Sequence, residues 1–232
     1  IKESGALVIA FGGMAPRNGQ VNAGGTGRHS QAIEMLEAKN AGVEFVNISP
    51  DRSDMAPELH AQWISINPNT DVALMLGLAH TLVKNNWHDT DFIDQYCIGF
   101  EQFLLYLNGV VDGQPKDANW ASKITGIPVN TITTLARRMS QMATLVNNSW
   151  SLTRQQNAEH IYWMLIVLTA LLGGIGKPGS GFGLGLGAVA GVGSHRSKTP
   201  WAAFPAGKNP IDSYIPVARV ADMLSQPGGT YQ

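Results

Sequence analysis

Short apolar runs alternate with helical patterns along the chain, and this alternation constrains the fold more than any other feature. Residues 6–11, ALVIAF, form a continuous apolar run that ends at a pair of glycines, and residues 43–48, VEFVNI, form a second run. Between them, residues 28–42 carry a helical pattern. Runs of this length that are apolar throughout suit strands buried on both faces. A strand, a helix and a second strand in this order predict a right-handed parallel βαβ unit.

Two further strand candidates and several helices continue the alternation. The strand candidates are residues 61–66 and 143–147, and a long helical pattern follows the polar residues 67–71. Strands that alternate with helices indicate an α/β fold with a mainly parallel, Rossmann-like sheet flanked by helices. We expect residues 1–187 to form this α/β domain. We expect residues 188–232 to form a Gly/Pro-rich irregular tail that packs on other parts of a longer parent.

Two predictions concern segments with a weaker pattern. In the first helix, Ile33 and Leu36 are expected to face the core, with Met35 as a further candidate. Residues 179–187, GSGFGLGLG, follow no strand pattern and precede no helical pattern, so we expect an irregular segment and no dinucleotide-binding turn. Disorder is expected over residues 188–206, because their Gly-rich composition buries too little apolar surface to offset the chain entropy.

Charge and composition exclude several classes of function. The chain carries 16 Lys and Arg against 17 Asp and Glu, with no basic block, which argues against nucleic acid as a partner. The single cysteine, Cys97, excludes an internal disulfide and a multi-cysteine metal site. The six histidines show no spacing typical of a zinc site. The most apolar run, residues 161–172, is too short to span a bilayer.

Polar loops follow the predicted strands at the edge where α/β sheets bind ligands. These loops are residues 12–27, 49–54, 67–71 and 148–159. Because the carboxyl ends of parallel strands meet at one edge, we expect the loops to lie close together. Several polar loops at one edge favour a binding site there.

Each loop taken alone also has an interpretation without a ligand. Residues 12–20, GGMAPRNGQ, resemble a phosphate-cradling turn, but they lack the GxGxxG spacing and equally suit a flexible turn. Asp51 and Arg52 follow a strand, where an acid often holds a ribose hydroxyl, and they also suit a solvated turn. Thr70 and Asp71 are explained by helix capping without any ligand.

The segment NNSWSLTRQQNAEH, residues 147–160, concentrates hydrogen-bonding side chains within one loop. Arg154 can donate to two acceptors at once, and Gln155 offers both a donor and an acceptor. Trp150 supplies a rigid apolar wall with one N–H group. The alternative is a polar helix N-terminus capped by Asn157, but this alternative leaves Trp150 and Arg154 without a role.

Taken together, these loops resemble the molybdopterin oxidoreductases of the dimethyl sulfoxide reductase family, in particular its dimethyl sulfoxide, trimethylamine N-oxide and biotin sulfoxide reductases. The resemblance covers residues 5–187 and depends on PNTDVALMLGLAHTLV, SWSLTRQQ and GGIGKPGSGFG in this order. It implies an internal cofactor-binding domain of a larger enzyme. Such enzymes hold molybdenum between two pterin guanine dinucleotides, the bis(molybdopterin guanine dinucleotide) cofactor.

The resemblance implies a role in cofactor binding for eleven residues: Gly12, Gly13, Asn18, Asp51, Arg52, Thr70, Asp71, Trp150, Leu152, Arg154 and Gln155. The first three would lie against the phosphates or sugar of one dinucleotide, the next four at its guanosine end, and the last four on the pterin and metal side. In this subfamily the serine ligand of molybdenum lies upstream of the domain. Ser149 and Ser151 belong to a different motif, so no catalytic residue or metal ligand is assigned here.

The resemblance also implies an activity, which is oxygen-atom transfer from a small-molecule S- or N-oxide. The implied partners are the remaining domains of the parent and an electron-donor protein. We expect the isolated chain to fold, to be catalytically inactive and to hold no cofactor. A periplasmic location is expected, with the cytoplasm as the alternative. A hypothesis from a different class is a Rossmann-like nucleotide-binding module without redox chemistry, and molybdenum analysis of the parent separates the two.

Overall fold

The computed structural model describes most of the chain. The described residues are 6–20, 30–186, 205, 207–208, 210–211 and 213–230. The chain divides into two units, Ile1–Ser194 and His195–Gln232.

The first unit contains strands and helices in alternation. Its described strands are β1 (Leu7–Phe11), β2 (Glu44–Ile48), β3 (Gln62–Ile64), β4 (Thr144–Asn148) and β5 (Gly181–Leu184). Its described α-helices are α1 (Gln31–Asn40), α2 (Asp71–Lys84), α3 (Thr90–Tyr96), α4 (Phe100–Leu107), α5 (Ala118–Thr125), α6 (Val129–Gln141) and α7 (Glu159–Leu171). None of the described helices has the length and hydropathy that a membrane crossing requires.

The strands form one parallel sheet in the order β3-β2-β1-β4-β5. The prediction of a mainly parallel α/β sheet flanked by helices is therefore confirmed. β1 lies in the centre, and all five of its residues are buried. Side chains from alternate positions of β1 enter two separate apolar clusters. Leu7, Ile9 and Phe11 pack with α2, α5, α6 and α7, whereas Val8 and Ala10 pack with α1.

Strand β5 shows that the prediction of an irregular segment over residues 179–187 is wrong for Gly181–Leu184. Backbone hydrogen bonds pair β5 with β4, in a register that runs from Leu145 opposite Gly181 to Asn148 opposite Leu184. A Cβ atom on Gly183 would lie 2.3 Å from the Leu186 side chain and 3.0 Å from Asn147 Oδ1. Glycine therefore lets this edge strand pack closely. Because glycines stand where apolar side chains would otherwise be, the sequence shows no apolar run that indicates a strand.

Helix α1 faces the sheet with only one of the residues expected. Ile33 and Leu36 are 62% and 41% exposed, so the prediction that they face the core is wrong. Met35 is buried, as expected, and Ala38 is buried with it in the cluster that contains Val8. These two residues lie three positions apart and share one face of the helix. The small Ala38 side chain lets this face approach the sheet closely.

The second unit contains a 3-10 turn, Val217–Arg219, that continues into α8 (Val220–Ser225). The prediction of an irregular tail is therefore wrong for this stretch. The predicted disorder of residues 188–206 falls, apart from residue 205, outside the described residues.

Candidate functional site

The loops that follow β1, β2 and β4 are joined at the carboxyl edge of the sheet. Gly12 N donates to Ile48 O at 2.9 Å, and Ser149 N donates to Phe11 O at 2.9 Å. These two hydrogen bonds continue the sheet pairing by one residue beyond the ends of β1 and β4. Polar side chains that follow neighbouring strands are consequently held side by side, as the sequence predicts.

A first cavity of about 650 Å³ opens at the β4 and β5 side of this edge. It is lined by Asn18, Ser149, Trp150, Ser151, Thr153, Arg154, Tyr162 and Leu184. It thus brings together three predicted site residues, Asn18, Trp150 and Arg154. Trp150 and Arg154 lie at the two ends of a 3-10 turn that begins directly after β4.

Hydrogen bonds within the turn fix the wall of the first cavity. Ser149 Oγ lies 3.0 Å from Ser151 Oγ, and Thr153 Oγ1 donates to Trp150 O at 2.7 Å. Tyr162 O–H donates to Ser149 O at 3.1 Å, and burial raises the pKa of this phenol. The turn is therefore held both by its own hydroxyls and by a side chain from α7.

Within this turn, Leu152 and Arg154 have opposite surroundings. Leu152 is buried in the larger apolar cluster, so it anchors the turn and does not line the cavity. Arg154 is exposed, and it forms no ion pair with any described residue, Glu159 included. Its guanidinium therefore keeps its donors available at the cavity.

A second cavity of about 480 Å³ lies at the β2 and β3 side of the same edge. It is lined by Asn47, Asp51, Arg52, Ser53, Met55, Ala56, Pro57, His60, Ala61 and Trp63. It contains the predicted pair Asp51 and Arg52. The Asp51 carboxylate accepts from Ser53 N at 2.8 Å and from Ser53 Oγ at 2.9 Å, and these hydrogen bonds hold its pKa below the ordinary range.

Asp71 and Gln155 lie beside each other, although the resemblance assigns them to different ends of the cofactor. Asp71 is 4% exposed, and burial raises the pKa of its carboxyl to about 6. Its own backbone amide and the Gln155 side chain oppose this rise. Asp71 does not line the cavity that contains Asp51. Thr70 precedes α2 without capping it, because its hydroxyl donates to Asn67 O at 2.6 Å.

Gly12 and Gly13 serve the contact between loops. Both have φ of 72°. A Cβ atom on Gly12 would lie 2.9 Å from Ser149 Cβ, and one on Gly13 would lie 2.4 Å from Asp54 O. Neither glycine lines the first or the second cavity. The close packing of the loops is therefore a sufficient reason for glycine at both positions.

Asp54 ties the loop after β1 to the loop after β2. Its backbone oxygen accepts from Met14 N at 2.8 Å, and its carboxylate accepts from Ser49 Oγ at 2.5 Å and pairs with Arg17. Asp54 was not among the predicted site residues, because two of its partners, Met14 and Arg17, lie on a different loop and no local spacing reveals them.

Several buried polar atoms at this edge have no hydrogen-bond partner among the described residues: Asn47 Oδ1, Asn147 Nδ2, Asn148 Oδ1 and Gln155 Oε1. Buried polar atoms are usually paired, so unpaired ones mark places where a bound polar group completes the structure. A pterin dinucleotide carries amides, hydroxyls and phosphates, which supply both donors and acceptors. The residues present therefore fit such a group at this edge.

The cavity residues that were not predicted include Asn47, Trp63, Ser149 and Tyr162. Asn47 had a detectable signal, since it interrupts the apolar run of β2 next to the strand end. Tyr162 had none, because it reaches the cavity from a helix by tertiary packing. Within the described residues, no cluster of three His, Cys, Asp or Glu side chains is arranged to hold a metal ion.

Comparisons with known proteins identify a family and curated relatives. The model of the molybdopterin oxidoreductase family matches residues 7–222. The biotin sulfoxide reductase of Cereibacter sphaeroides is 41% identical over 100% of this chain and 31% of its own length. The dimethyl sulfoxide/trimethylamine N-oxide reductase of Rhodobacter capsulatus is 42% identical over 86% of this chain and 25% of its own length. Trimethylamine-N-oxide reductase 1 of Escherichia coli K12 is 41% identical over 83% of this chain and 25% of its own length.

A solved structure shares the fold. Acetylene hydratase from Pelobacter acetylenicus superposes with a TM-score of 0.58 at 21% identity, over 76% of this chain and 22% of that one. This likeness concerns the fold alone. The chain spans about a quarter to a third of the length of the curated relatives it matches. The family match over nearly the whole chain and the relatives at about 40% identity show that the chain belongs to the molybdopterin oxidoreductase family.

Proposed function

We propose that this chain is the cofactor-binding domain of a molybdenum-dependent enzyme that reduces S- or N-oxides by oxygen-atom transfer. The observation that carries the proposal is the first cavity, where Asn18, Trp150 and Arg154 meet at the carboxyl edge of the sheet. Relatives named for the reduction of biotin sulfoxide, dimethyl sulfoxide and trimethylamine N-oxide support the substrate class. The cofactor we propose is bis(molybdopterin guanine dinucleotide).

In the first cavity, the side chains bind and orient. The bound cofactor supplies the oxygen-atom transfer itself, as cofactors do when the chemistry is beyond amino acid side chains. Arg154 offers a planar fork of donors to the oxygen atoms of a pterin or an oxide. Trp150 forms an apolar wall that excludes water, and Leu152 anchors the turn that holds both residues.

In the second cavity, Asp51 and Arg52 suit the guanosine end of one dinucleotide. An ionised carboxylate accepts from ribose hydroxyls, and a guanidinium donates to phosphate oxygens. We propose that Thr70, Asp71 and Gln155 contribute to the binding surface as well, and Gln155 Oε1 is buried with no hydrogen-bond partner among the described residues. The loop that contains Gly12, Gly13 and Asn18 would lie along the phosphates or sugar.

The whole enzyme is proposed to contain further domains, a serine ligand to molybdenum outside this chain, and a site for an electron-donor protein. The chain alone is proposed to be inactive, since it has no metal ligand among its assigned residues. We propose the periplasm as the compartment, with the cytoplasm as the alternative. Fractionation of cells that produce the parent tests the compartment directly.

The experiment that tests the proposal uses the purified full-length parent. We expect it to contain molybdenum, and to release GMP in twofold molar excess over molybdenum on acid hydrolysis. We expect it to reduce at least one of dimethyl sulfoxide, trimethylamine N-oxide and biotin sulfoxide with a reduced viologen dye. A parent that is isolated without molybdenum and binds a mononucleotide would instead be the nucleotide-binding module without redox chemistry.

A further inference from the structure

We propose that an apolar groove beside α7 is the docking surface for a segment of the parent polypeptide that lies outside this chain. The segment that fits this groove has an apolar face with Lys or Arg residues at its margins. The inference concerns how the parent is assembled. It is therefore independent of the cofactor and the reaction proposed above.

The groove, called here the α7 groove, lies between α7 and the α3–α4 pair and has a volume of about 270 Å³. Its walls include Ile166, Val167 and Ala170 from α7, and Cys97, Ile98 and Phe103 from the other two helices and the turn between them. Among the described residues that line it, none is charged, and the Cys97 thiol is the only polar side-chain group. The groove therefore suits apolar side chains and offers little to a polar small molecule.

Exposed apolar side chains extend the α7 groove into a larger patch. Ile98 is 101% exposed and Ile166 is 47% exposed. Trp163 lies three positions before Ile166 on the same face of α7 and is 68% exposed. Apolar patches of this kind mark surfaces to which another protein segment binds. A helix that is apolar on its outer face as well as its inner face is typical of one that is covered on both sides.

The three helices that form the groove are acidic. They contain no Lys or Arg, and they carry four exposed acidic residues, Asp91, Asp94, Glu101 and Glu159. Lys177, in the loop after α7, is already paired with Asp89 at 3.3 Å. A segment with Lys or Arg beside its apolar face therefore has the complementary charge.

The length of the curated relatives favours the parent's own polypeptide as the occupant. The biotin sulfoxide reductase of Cereibacter sphaeroides matches all of this chain with only 31% of its own length, so most of its length lies outside the match. Permanent interfaces are more apolar than those of partners that bind and leave. A groove with apolar walls consequently favours a segment that is always present over an electron-donor protein.

The acidic residues also disfavour two other occupants. A second copy bound through the same face by two-fold symmetry would bring these carboxylates towards each other, and like charges in an interface are unfavourable. An anionic membrane surface attracts basic segments and repels acidic ones. Both occupants remain distinguishable by experiment.

The test measures the reactivity of a thiol placed in the α7 groove of the full-length parent. Ile98→Cys, made together with Cys97→Ser, puts a new thiol where the described part of the chain gives it no cover. Arg137→Cys with Cys97→Ser is the matched control, at an exposed position on α6. Each protein is labelled with a maleimide and digested with trypsin, and mass spectrometry follows the modified peptide over time.

We expect the thiol at position 98 to react at least roughly a hundredfold more slowly than the thiol at position 137, because it reacts only when the covering segment opens. This protection should be the same at every protein concentration, since the covering segment belongs to the same polypeptide. In urea, where the parent is unfolded, the two thiols should react alike.

A photo-cross-linker identifies the occupant and does not depend on the Ile98 variant. The residue p-benzoylphenylalanine, in place of Trp163, keeps an aromatic side chain on the exposed face of α7. We expect irradiation to join this position to a peptide outside residues 1–232, with no doubling of mass on a denaturing gel. The joined peptide should contain Lys or Arg beside apolar residues.

Several results would overturn the inference. Equal reactivity of the two thiols would mean that the groove is open in the parent. Protection that is lost on dilution, or a cross-linked dimer, would indicate a second copy. Protection that requires an added electron donor or lipid vesicles, or a cross-link within residues 1–232, would assign the groove to a different occupant. The proposed function is judged separately, by the molybdenum content and oxide reduction of the wild-type parent, and neither outcome decides the other.

Discussion

The two cavities lie along one sheet edge, but they are built from different chemistry. The first cavity has an exposed arginine and an exposed tryptophan on a turn, and its arginine has no anionic partner among the described residues. The second has a carboxylate already held by Ser53 and a buried amide whose Oδ1 atom has no hydrogen-bond partner among the described residues. The arginine of the first cavity suits a charged or strongly polar group. The carboxylate of the second cavity suits neutral hydroxyl groups.

This difference separates two tasks within one domain. Charge-assisted hydrogen bonds are strong, and they suit a site where an oxide or a pterin is oriented. Neutral hydrogen bonds contribute less, but they discriminate well, since a mismatched partner leaves a buried group unpaired. If the two cavities are independent, a substitution in one leaves the other unchanged, whereas a substitution at the junction between their loops affects both.

The largest effect is expected from Gly13→Ala, which acts on both cavities. A Cβ atom at this position would lie 2.4 Å from Asp54 O, and φ is 72°. Backbone must therefore move, and we expect a loss of about 3 kcal/mol or more in the free energy of unfolding. Urea unfolding followed by circular dichroism measures the change.

Gly113→Ala is the control for Gly13→Ala. Gly113 has φ of 74° and nothing within 4 Å of its added Cβ atom. Only the conformational strain remains, and we expect a loss of about 1 kcal/mol. Equal losses in the two variants would mean that the close approach of Gly13 to Asp54 contributes nothing to stability, which would contradict the prediction.

The second prediction concerns the first cavity alone. In the full-length parent, Arg154→Ala should lower oxide turnover roughly ten- to a hundredfold, because one charge-assisted hydrogen bond contributes about 1.5–3 kcal/mol. Arg154→Lys keeps the charge and loses the planar fork, so it should also be impaired. Viologen-linked kinetics and molybdenum content measure the effect.

Arg137→Ala is the matched control, since Arg137 is exposed on α6 and lines neither cavity. It should keep wild-type metal loading and turnover. If the Arg154 variants do the same, Arg154 is an ordinary surface residue, and the assignment of the first cavity to substrate and pterin is wrong.

The strands of the sheet could be predicted from the sequence wherever they are apolar. β1, β2 and β4 were found within one residue of their ends, because burial on both faces demands a continuous apolar run. β5 was missed because Gly181 and Gly183 serve close packing and leave no such run. On α1 the burial of Met35 was expected, but Ile33 and Leu36 were wrongly placed in the core, because a short helix with apolar residues on two sides leaves the choice to tertiary packing.

The grouping of site residues could be predicted only where those residues are neighbours along the chain. Trp150 and Arg154 share one turn, so their common cavity follows from local spacing. Asp71 and Gln155 are 84 positions apart, and their proximity arises from the packing of α2 against α7. Helix capping alone explains Asp71 in the sequence, and it gives no indication of the burial that changes its acidity.

The third prediction concerns the burial of the Asp71 carboxyl. Burial raises the pKa of Asp71 to about 6 in the folded state, above the ordinary 3.8. The folded state then binds more protons than the unfolded state between these values, so this group makes the protein less stable as pH rises from about 4 to 6. Asp71→Asn should therefore increase the free energy of unfolding at pH 7 by about 2–3 kcal/mol, with little change at pH 4.

Urea unfolding of the 232-residue chain at both pH values measures the effect of Asp71→Asn. Asp94→Asn, on the exposed face of α3, is the control and should change little at either pH. A loss of stability in Asp71→Asn at pH 7 would contradict the prediction. It would mean that Gln155 and the N-terminus of α2 stabilise the carboxylate by more than its burial costs.

The smallest effect, of opposite sign, is expected for Asp51→Asn in the second cavity. Hydrogen bonds from Ser53 lower the pKa of the exposed Asp51 in the folded state. Its stabilising contribution is therefore present above the unfolded pKa and is lost as pH falls through the folded value. Asp51→Asn should slightly decrease stability at pH 7 and change nothing near pH 2, with Ser53→Ala behaving alike. If Asp51→Asn stabilised the chain at pH 7, as is expected for Asp71→Asn, the contrast between the exposed carboxylate and the buried one would be wrong.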